Sequence, residues 1–173
     1  MPTNIHKDNE KRRKQAGGFI EKIVLDAGVG RLSQTPNFEE KALVQVMRDL
    51  ASITGQKPQI RRARKSIAGF KIRENQIVGL RVTLRRARMV DFFERLIRIV
   101  LPRVRDFTGL PPESVDRAGV LNVGIREEFV FPEIAPESSP VAFSLGVAIV
   151  PKKRDRAAAL REFREMGVPF KRK

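Results

Sequence analysis

Between Val78 and Arg85 apolar and polar residues alternate without a break, Val78, Leu80, Val82 and Leu84 against Gly79, Arg81, Thr83 and Arg85. A period of two predicts a strand with one face in the core and the other basic and uncluttered. The same alternation runs through Ile23, Leu25 and Ala27 and is broken by Gly28 and Gly30. Phe143, Leu145, Val147 and Ile149 repeat it near the C-terminus, and LNVGIREEFVF, from Leu121 to Phe131, reads as a further strand. One more strand is expected between Gln56 and the loop that precedes Val78.

Two segments carry the helical period instead. Phe38, Ala42, Leu43, Val46, Met47 and Leu50 recur at steps of three and four behind an Asn37/Glu40 capping box, with Gly55 as the left-handed stop. Met89, Phe92, Phe93, Leu96, Ile97, Val100 and Leu101 form the longest stripe, which Pro102 should bend or end. Pro111 and Pro112 make residues 106–119 a long loop, and a last helix is expected from Arg154 to Met166. The order β, α, β, β, α, β, β, α predicts an α+β fold, a single-domain two-layer sandwich of mostly antiparallel sheet with helices packed on one face.

Charge changes this picture more than composition does. The 173 residues suffice for one domain with a sizeable core, and 41% hydrophobic with 32% charged residues fits a folded chain. The formal net charge is +15, yet the interval Arg61–Arg88 alone holds ten basic residues against one acid, Glu74. Residues 1–18, with five Lys or Arg and little that is apolar, read as a flexible basic arm preceding a domain over 19–170 and a basic tail over 171–173. The arm resembles neither a signal nor a transit peptide, so the cytoplasm is the expected compartment. There is no cysteine, hence neither a disulfide nor a thiolate metal site.

Catalytic readings are weak. The only histidine, His6, lies in the polar arm, which excludes a Ser-His-Asp triad or a histidine metal site on the folded body. Glu127 and Glu128, as neighbours on a strand, would point to opposite faces and read as solvated charges. Ala27–Gly30, AGVG, lacks the pattern of a phosphate-cradling loop and reads as the turn that ends a strand. No cofactor or metal is expected. The positive signal is RRARKSIAGFKIR, from Arg61 to Arg73, with six cations and no acid. Its cations flank Ser66, Ile67, Ala68, Gly69 and Phe70, where small residues allow close backbone approach. Phe70 stacks on a base or ribose, or else anchors the loop in the core. The amphipathic helices offer no wide apolar side to a membrane, and neither helix-turn-helix nor zinc-finger spacing occurs. RNA is the expected partner.

Four stretches, TGQKPQIRRARKSIAGFKIREN, GLRVTLRRARM, LPRVRDFTGL and REEFVFPEI, occur in the order and register of the bacterial-type ribosomal protein L-five family, and the chain resembles that family from Ile20 to Phe170. The resemblance implies a non-catalytic constituent of the large ribosomal subunit. It would bind 5S rRNA beside 23S rRNA in the central protuberance, approach P-site tRNA, and help bridge to the small-subunit protein S-thirteen among other central-protuberance proteins. An RNA-processing enzyme and a nonspecific nucleic-acid chaperone are the alternatives. By motif, the 5S contact falls on Gln56, Thr83 and Asp26, with Arg61, Arg62, Arg81 and Arg85 around them. Asp26 stands where the family carries Asn, and a carboxylate cannot donate a hydrogen bond as an amide does and repels phosphate. The tRNA-facing loop corresponds to Lys65, Ser66, Ile67, Ala68, Gly69, Phe70, Lys71 and Arg73. VDRAGVLNVG, from Val115, departs from the family pattern where a bridge contact would lie. The family also opens with a helix that residues 1–18 look too short and polar to supply.

Overall fold

The computed structural model describes residues 3–30, 32–135, 137 and 139–171, with only the backbone of residues 3–8. In chain order the main elements are α1 (Thr3–Phe19), β1 (Ile20–Gly28), α2 (Leu43–Thr54), β2 (Gln59–Arg62), β3 (Ile77–Leu84), α3 (Arg86–Arg95), α4 (Leu101–Arg103), β4 (Leu121–Ile125), β5 (Leu145–Pro151) and α5 (Arg156–Glu165). The strands form one five-stranded antiparallel sheet of order β2-β3-β1-β5-β4, and the α+β class read from the sequence is the one observed. Along the chain two compact units can be told apart, and β1, β3, β4 and β5 each lend residues to both.

The first unit comprises the chain up to Val24, Thr83–Val123, and the chain from Val147 onward. Its largest difference from the expected pattern is α1, a helix where a flexible arm was expected. The helix lacks an apolar stripe and is held by specific partners. Ala16 is buried, Arg13 pairs with Asp91 and with Glu94 (2.9 Å to the latter), Arg98 donates to Asn9, and Gln15 donates to Glu162 at 2.9 Å. A helix therefore precedes the first strand, although residues 1–18 were expected to be too short and polar to form one. Downstream, α3 runs through a π-helical turn, Leu96–Val100, into α4, and the helix ends one residue after Pro102. In that turn the Leu101 N–H bonds to the Leu96 carbonyl, one residue further back than in an α-helix. The expected apolar stripe is buried from Met89 to Leu101, and the Phe19 and Phe163 rings meet edge to face at 5.4 Å. Asp155 caps α5 by accepting from the N–H groups of Ala157 and Ala158. The loop after Arg105 is tied down by Leu110, whose N–H bonds the Pro169 carbonyl at 2.7 Å and whose carbonyl accepts from Lys171 at 2.8 Å. Gly109 beside it has φ 106, and a Cβ there would stand 2.9 Å from the Lys171 nitrogen, so only glycine fits.

The second unit comprises Leu25–Val82 and Gly124–Gly146. Leu43, Val46, Leu50 and Ile53 bury the stripe of α2, and Gly55 ends the helix in the left-handed conformation at φ 64, as the spacing required. The capping box does not form. Asn37 itself is left-handed, its side chain caps nothing, and a π-helical turn, Phe38–Ala42, precedes α2. The strand expected to run to Phe131 stops at Ile125 and gives way to a 3-10 turn, Glu128–Val130. Glu127 and Glu128 are therefore not strand neighbours. Glu128 is fully buried, in place of the solvated charge expected, and its Oε2 accepts from the Phe143 N–H at 2.9 Å while Oε1 has no hydrogen-bond partner among the described residues. Asp49, on α2, is also buried and accepts from the Ser139 hydroxyl at 2.6 Å and from Gln45 at 3.2 Å.

Candidate nucleic-acid interface

The candidate interface begins at the sheet edge. All four residues of β2 are exposed, and they pair antiparallel with β3 in the register Gln59↔Arg81, Ile60↔Leu80 and Arg61↔Gly79, with a bulge between Arg61 and Arg62. Arginines on an edge strand also discourage strand addition by another chain. Gln56 is half-buried just beyond the α2 cap, where its N–H bonds the Thr54 hydroxyl at 3.3 Å and its carbonyl accepts from the same hydroxyl at 3.0 Å. The helix end thus fixes its backbone.

From Ala63 to Gln76 the chain folds back on itself. Ala63 and Gln76 pair at 2.8 Å, Asn75 donates to the Ala63 carbonyl at 2.9 Å, and Arg62 donates to the Asn75 carbonyl at 2.9 Å. The Ser66 hydroxyl accepts the Glu74 N–H at 3.0 Å, Gln76 Oε1 accepts the Arg73 N–H at 2.8 Å, and Gln76 Nε2 donates to Ser33 at 2.7 Å. Further out, Ile67 and Ile72 form a two-way backbone bridge around a 3-10 turn, Ala68–Phe70, closed by Lys71 at φ 54. The base is braced by side chains and the apex by its own backbone. Phe70 is 72% exposed and Ile67 48%, while space around Gly69 is open. Exposure at that level decides between the two readings of Phe70: it does not anchor the loop in the core. Lys65, Lys71 and Arg73 are exposed around it, so the apex offers an aromatic face among exposed cations, the combination that stacks on bases and follows a phosphate chain.

The polar side of β1 and β3 is less basic than the sequence suggested. Within the second unit, Arg81 donates from Nε to Asp26 Oδ1 at 2.6 Å and from Nη2 to Oδ2 at 3.1 Å, with both side chains still 40–45% exposed. The Asp26 hydrogen bond raises the guanidinium pKa further above its ordinary value. Within the first unit, Arg85 contacts Glu21 at 3.3 Å and Lys22 contacts the same carboxylate at 3.6 Å. The Arg85 hydrogen bond, followed by the Lys22 charge, holds Glu21 below the usual carboxylate range. Thr83 lies half-buried on β3, two residues after Arg81 and two before Arg85, which follows the strand. An uncluttered basic face was expected. What stands there is a set of arginines matched to acids on β1, because alternation along one strand says nothing about the charges of its neighbour.

Other chemistry is sparse. Among the described residues no group of three metal-ligating side chains comes together, and none of the helices is long and apolar enough to cross a membrane. AGVG ends β1 as a turn, with Val29 buried and its N–H bonded to the Val78 carbonyl at 3.1 Å.

Comparison with known proteins covers nearly the whole chain. The family model described as Ribosomal protein L5 matches residues 19–73, and the model for the C-terminus of the same ribosomal family matches residues 77–170. The Large ribosomal subunit protein uL5 of Rubrobacter xylanophilus is 49% identical over 152 residues, covering 88% of this chain and 82% of that protein. Its counterpart in Pseudothermotoga lettingae is 46% identical over 153 residues, covering 88% and 81%. That of Chlorobaculum tepidum is 44% identical over 154 residues, covering 89% and 82%.

Proposed function

The chain belongs to the ribosomal protein L5 family of the large ribosomal subunit, and from that premise we propose that it holds 5S rRNA with the polar side of its sheet and reaches tRNA with the loop Lys65–Arg73. It is a structural component of a ribonucleoprotein and not an enzyme. In this reading Asp26, Gln56, Arg61, Arg62, Arg81, Thr83 and Arg85 serve 5S rRNA in the central protuberance, beside 23S rRNA. The loop of Lys65, Ser66, Ile67, Ala68, Gly69, Phe70, Lys71 and Arg73 serves P-site tRNA. Contacts to the small-subunit protein S-thirteen and to other central-protuberance proteins complete the set of partners.

The observation that carries the reading is the contrast between two kinds of surface. The loop is exposed, cationic and tipped by Phe70. The sheet surface carries arginines already matched to carboxylates. A chain that only condensed on phosphate would gain nothing from the second arrangement, whereas a chain that recognises one RNA needs polar groups in fixed positions.

The test is binding of the purified protein to labelled 5S rRNA and to an unrelated hairpin across about 50–200 mM salt. Four to six cations each neutralising a phosphate give a log-log slope of about −3 to −5. Preference for 5S rRNA at every salt concentration is expected. Equal affinity for both RNAs would instead establish a nonspecific chaperone, and RNA cleavage lost on Glu127→Gln would establish an enzyme.

A further inference from the structure

Four glycines stand at outward positions of four strands in the second unit. Gly28 and Gly79 flank the ion pair along β1 and β3, two residues from Asp26 and from Arg81 respectively, and Gly146 and Gly124 occupy β5 and β4 between buried apolar neighbours. A Cβ at Gly28 or Gly124 would meet nothing within 4 Å, and one at Gly146 would come no closer than 3.8 Å, to the Asp26 carbonyl. Packing inside the protein therefore does not explain the missing side chains at these three sites. Glycine inside a strand weakens it, and it commonly marks a place where another backbone comes close. Gly79 has a local reason as well, since its Cβ would stand 3.1 Å from the Ala27 carbonyl.

On this low floor Asp26 and Arg81 are the raised feature. Their contact is side-on, through Nε and Nη2, so of the five guanidinium N–H donors three remain, including the pair at the end of the fork. Each carboxylate oxygen also keeps a lone pair. The unit is electrically neutral and offers a donor and an acceptor side by side. A phosphate oxygen can use only the donor. A ribose 2′-hydroxyl donates and accepts and so can use both, and it is displayed along the shallow side of an RNA helix, where a flat surface can reach it.

We infer that Asp26 and Arg81, standing on the glycine floor, form a neutral recognition pair for a ribose 2′-hydroxyl of the bound RNA. Asp26 both orients Arg81 and accepts from the hydroxyl. This rests on the reading of the sheet as the 5S rRNA site and adds to it which atom is recognised and why an acid is tolerated there.

The experiment is a scan of single 2′-deoxy substitutions through 5S rRNA against the protein, its Asp26→Ala variant and Gly146→Val. With the wild type, one or two positions should lose about tenfold in affinity when the hydroxyl is removed. Asp26→Ala, which removes the acceptor, should weaken unsubstituted 5S rRNA by a similar factor and abolish the effect of the deoxy substitution at those positions, although it removes a negative charge from an RNA-binding surface. Gly146→Val suits a strand and should leave the melting temperature unchanged or higher, yet weaken 5S rRNA at least tenfold. If Asp26→Ala tightens binding, if the deoxy effects persist in it, or if Gly146→Val binds as the wild type does, the inference is overturned while 5S recognition stands. A wild type with no preference for 5S rRNA would remove both.

Discussion

Glu128 is the carboxylate that the fold treats least like a surface charge, and replacing it gives a prediction whose size follows from its contacts. Its side chain is fully buried, its Oε2 receives the Phe143 N–H at 2.9 Å, and its Oε1 has no hydrogen-bond partner among the described residues. Burial raises its pKa, helped by the charges of Asp49 and Glu127 and opposed by the backbone N–H of Phe143 and its own. The sign follows from linkage. As pH rises the unfolded chain loses this proton first, so the contribution of Glu128 to stability is full below the ordinary glutamate range near about 4.3. It is lost as pH climbs toward the raised folded-state value. Glu128→Gln retains an acceptor for Phe143 and cannot ionise, so wild type minus Gln variant should become progressively less favourable from about pH 4 upward. Glu128→Ala strands the Phe143 N–H, at about 1–3 kcal/mol, and empties the space of a buried methylene, at about 0.8 kcal/mol more. A total of roughly 2–4 kcal/mol lowers the melting temperature by on the order of 5–15 °C for a chain of this size. Urea unfolding followed by circular dichroism between pH 4 and pH 8, on all three proteins, measures both effects. A pH-independent difference between wild type and the Gln variant, or an Ala variant as stable as Gln at pH 5, would refute the assignment.

Other substitutions probe the RNA surfaces and the N-terminal helix. Thr83→Val should weaken 5S rRNA binding by roughly 1 kcal/mol through a lost hydrogen bond; filter binding at fixed salt reads it. Neutralising Lys65, Lys71 and Arg73 to Gln should leave 5S affinity within about threefold and slow translation in a reconstituted system, and loss of 5S binding would mean the loop is misassigned. Arg13→Ala should cost less than about 1 kcal/mol, because Arg13 and its partner Asp91 are half exposed. Ala16→Leu, at a position 1% exposed, should cost about 1–3 kcal/mol by overpacking. Were the N-terminal segment a loose arm, both changes would be silent in thermal unfolding.

Periodicity made most of the core legible. Every apolar residue assigned to the inner face of β3 except Val78 is buried, as is the whole Met89–Leu101 stripe, because burial of one face is what sustains a period over several turns. Where the reading failed, long-range polar contacts decided the outcome. The helix α1 has no apolar period, and its signal was instead the spacing of Asn9, Arg13 and Ala16, which share one helical face and meet Arg98, Asp91 and a packed neighbour. That spacing is visible in the sequence, but its partners lie some eighty residues away. Glu128 was missed for the opposite reason: an acid beside another acid in a polar stretch carries no local mark of burial, and only the Phe143 N–H shows where it points. At the candidate site the loop Arg61–Arg73 stood out by charge, and its exposed Phe70 matched one of two readings. The pairing of Arg81 with Asp26 could not be read, since it depends on which strand lies beside β3.

Under the proposed function, that pairing separates two ways of holding RNA within one chain. Each lysine or arginine that neutralises a phosphate adds about −0.9 to the salt slope on a duplex, whereas an arginine already matched to a carboxylate adds little. The loop cations Lys65, Lys71 and Arg73 belong to the first kind and Arg81 to the second. Net charge is therefore a poor guide to where this protein discriminates among RNAs. The +15 total sets how strongly it is drawn to any polyanion. In the proposed reading, choice among polyanions falls to the region where charge is cancelled, since only contacts that do not reward every phosphate equally can favour one RNA over another. On this argument Arg81→Gln should reduce the preference for 5S rRNA over an unrelated hairpin and leave the salt slope nearly unchanged. Neutralising Lys65, Lys71 and Arg73 should flatten the slope for the hairpin and spare the preference. Measured on the same two RNAs, an Arg81→Gln protein whose slope shifts by a full unit would place Arg81 on a phosphate and end the distinction.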